Sequence, residues 1–318
     1  MSRQLQVGPL GEEEQYDLLF ATLGYESRAT TVAHMLEERT GRIIAIDYAV
    51  HHVHSYSRNL AYFETHEVLR EPPSAMRKSL SGIVQDAREA LAAEGETRPP
   101  RVAVDISCMD RDRLAKVVLA LTVDQTETLE VHFFYTFAQF DQNLVGSEGT
   151  VLVNRPIEEM EGWPSDPDAG LVCVLSLGFE SRLATAAIET LEPSRVIALL
   201  PLGDDSRYDD VVKQRNSELL SGTTESVHVS NYQVEDPLRT ILDLNASVEA
   251  LSRRARVVVV PIGPKTFALA AILVGIAHPT NVTIWRMSAD DGRTPEDRVA
   301  SGRIVGLRVL VNVSGNQS

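Results

Sequence analysis

The sequence predicts an α/β protein built as two tandem Rossmann-like domains, each a mostly parallel six-stranded sheet flanked by helices. Two observations carry this. Short β-rich apolar runs alternate with longer segments of helical spacing, the pattern of βαβ units closing a parallel sheet. The second half of the chain also repeats the first: DLLFATLGYESRATTVAHMLEERTGRIIAIDYA (17–49) lies over LVCVLSLGFESRLATAAIETLEPSRVIALLPLG (171–203) in a constant register. The match continues downstream. Arg58-Asn59 lies over Arg215-Asn216, RVAVDISCMDRDRLAKVVLAL over RVVVVPIGPKTFALAAILVGI, LEVHFFYT over NVTIWRMS, and GTVLVNRP over GRIVGLRVL.

Taken in order, each copy predicts a first strand (17–22, 171–176), a helix, a second strand (42–47, 195–200), a helix, and a third strand (66–70, 226–231). A longer helix (about 74–93, 237–251) leads to a fourth strand (101–106, 256–261), a helix and a fifth strand (129–136, 281–287). A last strand (149–154, 303–311) follows through a polar loop and is expected antiparallel beside the fifth strand of its own copy. PIEEMEGWPSDPDAG (156–170), rich in Pro, Gly and acid, reads as a linker. The expected domains are therefore 1–158 and 171–318, joined by 159–170, with VSGNQS as a frayed tail.

At 318 residues the chain suits two cores, and 43% hydrophobic with 24% charged residues argues against wholesale disorder. The net charge of −15 disfavours a protein that coats duplex nucleic acid or an anionic membrane, since both require a basic face. The N-terminal stretch lacks the apolar segment of a secretory leader, and no run is long enough to span a membrane. A soluble cytoplasmic protein is expected. Cys108 and Cys173 are far apart and read as buried inert thiols; His51, His52 and His54 lack a carboxylate or thiol at metal-site spacing, so neither metal nor cofactor is expected.

Ligands of open α/β sheets bind beyond the carboxyl ends of the strands, and two turns per copy qualify. The first is Gly24-Tyr25-Glu26-Ser27-Arg28, repeated as Gly178-Phe179-Glu180-Ser181-Arg182. The glycine allows a tight strand exit, the serine suits a helix cap with a hydroxyl to offer, and the arginine suits a phosphate. The competing reading makes the Glu–Arg pair an internal brace, but retention of all of G-[YF]-E-S-R while its neighbours drift favours a ligand site. At the fourth-strand exit the copies differ. The second has Gly263-Pro264-Lys265-Thr266, an anion-type turn too short for a P-loop; the first has Asp105-Ile106-Ser107-Cys108-Met109-Asp110-Arg111. Asp105 and Asp110 are candidates for acid/base work or for positioning a ribose hydroxyl, with Ser107 and Arg111 beside them, and Asp105 and Ser107 for ligand contact, although no nucleophile–base–orienter triad is legible; the competing reading makes Asp110 a helix cap. Arg58-Asn59 and Arg215-Asn216, with Tyr56 and Tyr208 nearby, read either as surface charge with a hydrogen-bonded Asn or as a pocket rim whose tyrosine stacks a base.

Paired Rossmann-like domains with a polar turn after the first strand and a Gly-Pro-Lys turn after the fourth resemble the CARF and SAVED sensor domains of prokaryotic antiviral systems. The resemblance implies a cyclic oligonucleotide or related nucleotide bound between two such domains. The lysine turn matches only Gly263 to Thr266, which implies a lopsided site. Because the two repeats occupy residues 15 to 312, it also implies an effector on a separate protein, or self-assembly into a homo-oligomer. Two other readings stay open: an enzyme cleaving a nucleotide or nucleotide sugar with its catalytic groups in the first copy, and a structural or interaction protein with vestigial pockets.

Overall fold

A computed structural model describes residues 2–11, 14–47, 51–141, 149–162, 168–221, 227–290 and 295–314. The chain forms two compact α/β units, Met1–Gln139 with Pro295–Ser318, and Phe140–Thr294. The first holds β1 (Ser2–Gly8), β2 (Tyr16–Leu23), α1 (Thr31–Leu36), β3 (Thr40–Asp47), α2 (Tyr56–Phe63), β4 (Glu67–Leu69), α3 (Pro73–Ala93), β5 (Arg101–Asp105), α4 (Arg111–Thr122) and β6 (Leu129–Ala138). The second holds β7 (Thr150–Pro156), β8 (Leu171–Ser176), α5 (Ser181–Leu191), β9 (Arg195–Leu202), α6 (Ser206–Arg215), α7 (Ser217–Leu220), β10 (Val227–Gln233), α8 (Pro237–Ser252), β11 (Arg256–Pro261), α9 (Lys265–Ala277) and β12 (Val282–Asp290). The final strand, β13 (Ala300–Ser314), returns to the first unit.

The sheet orders are β1-β13-β6-β5-β2-β3-β4 and β10-β9-β8-β11-β12-β7. Strands β2 to β6 and β8 to β12 pair in parallel, and among the described residues only the ladders of β1, β7 and β13 are antiparallel. Central strands covered on both faces must be apolar throughout, which is why Leu18 to Leu23 and Val257 to Val260 are buried without alternation. Helix α9 is apolar all round, and Thr266 through Gly275 are buried as it packs on α8, β11 and β12.

The expected terminal strands change places. β7, which follows the first copy in sequence, pairs with β12 from Trp285↔Pro156 to Asp290↔Thr150; β13 pairs with β6 from Ala300↔Ala138 to Val311↔Leu129. Each is the antiparallel neighbour of a fifth strand, but of the other copy's. The linker expectation shifts accordingly. Ile157 donates its N–H to Ile284 O (2.8 Å), Ile284 donates to Met160 O (3.0 Å), and both Ile157 and Met160 are buried, so 157–162 is fastened to β12. Residues 163–167 of the expected linker and 315–318 of the expected frayed tail lie outside the described residues. β1 is an addition that the repeat did not contain, held to β13 from Ser2↔Ser314 to Gly8↔Arg308. Where the sequence predicts one helix after β2, the structure has a 3-10 turn (Ser27–Thr30), the short α1 and a second 3-10 turn (Glu37–Arg39). The β-branched run Thr30-Thr31-Val32 fits a helix start poorly.

A buried polar chain crosses the first unit's core. His132, fully buried on β6, faces Glu130 through Nε2 (2.7 Å to Oε1) and Tyr16 Oη through Nδ1 (3.0 Å). The carboxylate only accepts, so Nε2 carries the proton and Nδ1 accepts from the phenol. Burial pushes the Tyr16 phenol up to about 12 and holds the imidazole below its usual pKa, against the upward pull of Glu130.

Two outcomes follow from these contacts. Truncation after Val299 removes the fully buried Leu307, Val309 and Val311, about 5–9 kcal/mol of burial, which is comparable to the whole stability of a domain. Hydrogen exchange on the truncated chain should show β2 to β6 losing protection while β8 to β12 keep it. As for pH, the folded His132 resists protonation while the unfolded one protonates near pH 6.5, so below that pH the unfolded state binds more protons and stability falls. Denaturant titrations between pH 7.5 and 5 should show this slope, and His132→Gln should flatten it.

Candidate functional site

In both sheets the chain reverses its winding between the first and fourth parallel strands, β2 and β5 in one unit, β8 and β11 in the other. The G-[YF]-E-S-R turn leaves one side of this switch point, and the divergent turn leaves the other. The two candidate turns of each copy are therefore neighbours at the place where such sheets bind ligands.

In the first unit this place is filled by the protein's own groups. Arg28 is only 4% exposed. Its Nε donates to Glu26 Oε2 (2.7 Å), Nη1 to Thr136 O (2.7 Å) and Nη2 to Ser107 O (3.1 Å), and its guanidinium lies 5.8 Å from the centre of the Tyr135 ring. One side chain thus ties the exits of β2 and β5 to β6. Asp105 and Ser107, 1% and 0% exposed, belong to the same network. Asp105 Oδ1 accepts from the Ser107 amide (2.9 Å) and hydroxyl (2.5 Å), and Ser107 Oγ accepts from the Thr136 amide (2.8 Å). These groups hold the turn together from within. Asp110 caps α4 by accepting from the Arg113 amide (2.9 Å). Tyr25 is half-buried, and burial, then Glu26, pushes its phenol up to about 12.

Ser27 opens its 3-10 turn and Ser181 opens α5, so neither is the cap; the cap positions are Glu26 and Glu180, and neither makes a side-chain cap hydrogen bond. The Ser27 amide donates to Asp297 Oδ1 (2.5 Å), and its hydroxyl to Arg298 O (3.4 Å). His54 contacts Pro295 O, so the segment before β13 lies along the first unit's motif.

The recurrent Arg-Asn pair has a structural reason. Asn59 and Asn216, both buried, donate from Nδ2 to the carbonyls of Gly24 and Gly178, at 2.9 Å in each unit. Asn59 also reaches Glu26 O (2.8 Å) and Asn216 reaches Val212 O (2.8 Å). Arg58 is exposed, with Nη2 3.4 Å from Ser27 O, and Arg215 is half-buried. Tyr56 is not a rim residue: it is buried and donates to the Asp47 carboxylate (3.1 and 3.2 Å to its two oxygens). Tyr208 does meet the motif, stacked on Phe179 at 5.8 Å between ring centres and 23° between planes. The ring that corresponds to it in the first unit is His51, edge-on to Tyr25 at 6.1 Å; each ring stands eight positions before the buried Asn. Phe140 adds an edge to Tyr208 (5.0 Å), under the Arg207 guanidinium.

In the second unit the motif is turned outward. Glu180 and Arg182 are exposed where Glu26 and Arg28 are not. The reason is the shorter turn opposite. Ile262 O lies 3.1 Å from where a Gly178 Cβ would be, and Gly263 Cα lies 3.4 Å from it. A Cβ on Gly263 would come under 3.0 Å from Ser176 Oγ and Leu177 O. Gly263 has no room for a side chain and Gly178 little, so the two turns close on each other through backbone. Pro264 is the helix cap, and Lys265 and Thr266 open α9. Thr266 is 2% exposed, and its Oγ1 has no hydrogen-bond partner among the described residues. Ser176 Oγ, at the end of β8, shares a 3.0 Å hydrogen bond with Tyr232 Oη at the end of β10.

Sequence reasoning missed Ser176 and Tyr232. The signal for the first was present, because a hydroxyl residue stands two positions before the motif glycine in both copies, Thr22 and Ser176. Neither cysteine is in a disulfide; Cys173 is buried, which pushes its thiol up to about 12, and Cys108 is half-buried. Among the described residues no group of three His, Cys, Asp or Glu side chains is placed to hold a metal, and no helix is long and apolar enough to cross a membrane. No protein-family model matches the chain, and no curated protein matches it in sequence.

The same motif thus has two mechanical roles. Arg28→Ala leaves Glu26 and two carbonyls without their buried partner and should cost about 3–5 kcal/mol, whereas Arg182→Ala removes an exposed side chain and should cost less than about 1 kcal/mol. Chemical denaturation of the two variants measures the difference.

Proposed function

We propose that this chain is a nucleotide-binding sensor module whose ligand site is the switch point of the second unit. The observation that carries the reading is the contrast between the copies. In the first unit an arginine, a carboxylate and a serine are bound up in a buried brace. The second presents Arg182 at the surface beside a turn that opens directly into the N-terminus of a 13-residue helix with Lys265 as its first residue. A helix N-terminus offers unsatisfied backbone N–H groups and the positive end of a dipole, and a lysine and an arginine beside it supply charge for a phosphate. In a chain of net charge −15, such a local concentration of donors has a specific use. The Phe179–Tyr208 pair next to it offers a flat apolar surface for a base.

A nucleotide-derived second messenger, such as a cyclic oligonucleotide, fits this combination of phosphate donors and aromatic surface. It also agrees with the resemblance to CARF and SAVED domains, and with a role in antiviral signalling through a separate effector. An enzyme with its catalytic groups in the first copy draws less support: Asp105 and Ser107 are hydrogen-bonded to each other and to β6 beneath the surface, where a substrate does not reach.

A thermal-shift and calorimetric screen of cyclic di-, tri- and tetranucleotides, mononucleotides and NAD tests the proposal. At a hundredfold excess over Kd the binding ligand should raise the unfolding midpoint by roughly 5–10 °C, and Arg182→Ala or Lys265→Ala should remove the shift. Silence from every ligand in the wild-type chain overturns the reading.

A further inference from the structure

The second unit's switch point holds a hydroxyl pair that the contrast between the copies does not explain. Ser176 is 0% exposed at the end of β8, and Tyr232 lies two strands away at the end of β10. The phenol crosses β9 to meet the serine at 3.0 Å, and its ring rests on Phe267 of α9, 5.1 Å between centres. The pair lies against the turn that starts α9, since a Cβ on Gly263 would fall 3.1 Å from Tyr232 Oη as well as close to Ser176 Oγ. Thr266 Oγ1, buried and without a hydrogen-bond partner among the described residues, lies in the first turn of the same helix. A buried hydroxyl with no partner among the described residues is a group open to a ligand oxygen.

The first unit supplies the comparison. Thr22 occupies the place of Ser176, buried, with Oγ1 lacking a partner among the described residues. β4 ends at Leu69, paired with Ile46, whereas β10 runs on past the corresponding Ser230 to Tyr232 and Gln233. The strand-end hydroxyl is thus common to both copies, and the phenol belongs to the second, where Arg182 is exposed and the Gly-Pro-Lys turn leads into α9.

We infer that the Tyr232 hydroxyl is a ligand contact of this site, donating its one proton to a phosphate oxygen held at the start of α9, with Ser176 as the positioning residue that donates to the phenol oxygen and fixes its direction. This inference rests on the function proposed above. A phenol donating to an anionic oxygen makes a charge-assisted bond, and its loss corresponds to an affinity drop of about 10- to 150-fold.

Calorimetry with cyclic triadenylate, ADP and inorganic phosphate on the wild-type chain, Tyr232→Phe, Ser176→Ala and Ser176→Thr tests it. Tyr232→Phe keeps the ring on Phe267 and should lose at least tenfold in affinity for whichever probe the wild type binds, with an unfolding midpoint lowered by no more than roughly 2–4 °C. Ser176→Ala should lose less, and Ser176→Thr, which restores the hydroxyl that the first unit carries, should recover binding. If the wild type binds and both Tyr232→Phe and Ser176→Ala bind equally well, the pair is structural and this inference fails alone. If the wild type binds none of the probes, the proposed function fails with it.

Discussion

The ladder between β6 and β13 is the constraint from which the first unit's architecture follows. A central strand rich in aromatic residues cannot leave its backbone N–H and C=O groups unpaired, and the partner that satisfies them comes from the far end of the chain. β13 in turn provides the edge on which β1 is laid, and brings the segment with Asp297 to the Ser27 amide. The mirrored ladder between β7 and β12 completes the second sheet. The chain therefore enters the second unit once and returns once, and each sheet is finished by a strand that sequence order assigns to the other copy.

Duplication usually gives two equivalent sites, and here the backbone is nearly equivalent while the chemistry is not. The difference traces to the length of one turn. Ser107-Cys108-Met109 carries the first unit's chain around widely enough to place the Ser107 carbonyl within reach of Arg28 beside that of Thr136 on β6, and a buried guanidinium with several acceptors is then a rigid connection between three strand exits. Ile262-Gly263-Pro264 is tight, the connection is made by backbone contact at Gly178 and Gly263, and Arg182 is exposed. The same five residues stabilise one unit and furnish the other.

Sequence reasoning reached the strands and the long helices because parallel strands buried on both faces leave a continuous apolar signature, as in Leu18 to Ala21 and Val257 to Val260, and α3 and α8 show a single apolar face. β1 was illegible because SRQLQVG is half polar and earns its strand by pairing. The exchange of β7 and β13 was illegible because local patterning states that a strand exists and is silent on which sheet it joins. The positions of the motif residues were legible from the repeat, but their burial was not: the acceptors of Arg28 lie 79 and 108 residues further along. Asn59 and Asn216 stood out correctly as recurrent, and their common target, the glycine carbonyl of the motif, needed coordinates. Tyr232 sits in the polar strand VHVSNYQ, where nothing local distinguishes it.

The return of β13 has a consequence for the order in which the protein is made. The ribosome finishes β6 and then adds roughly 170 further residues before the strand that covers its edge exists, a delay of about 10 to 35 s at ordinary elongation speed. Through that interval the uncharged stretch HFFYTFAQF borders an open sheet edge, the kind of template on which nascent chains cross-pair with one another. Completion of the first unit's sheet is thereby tied to synthesis of the last strand of the chain.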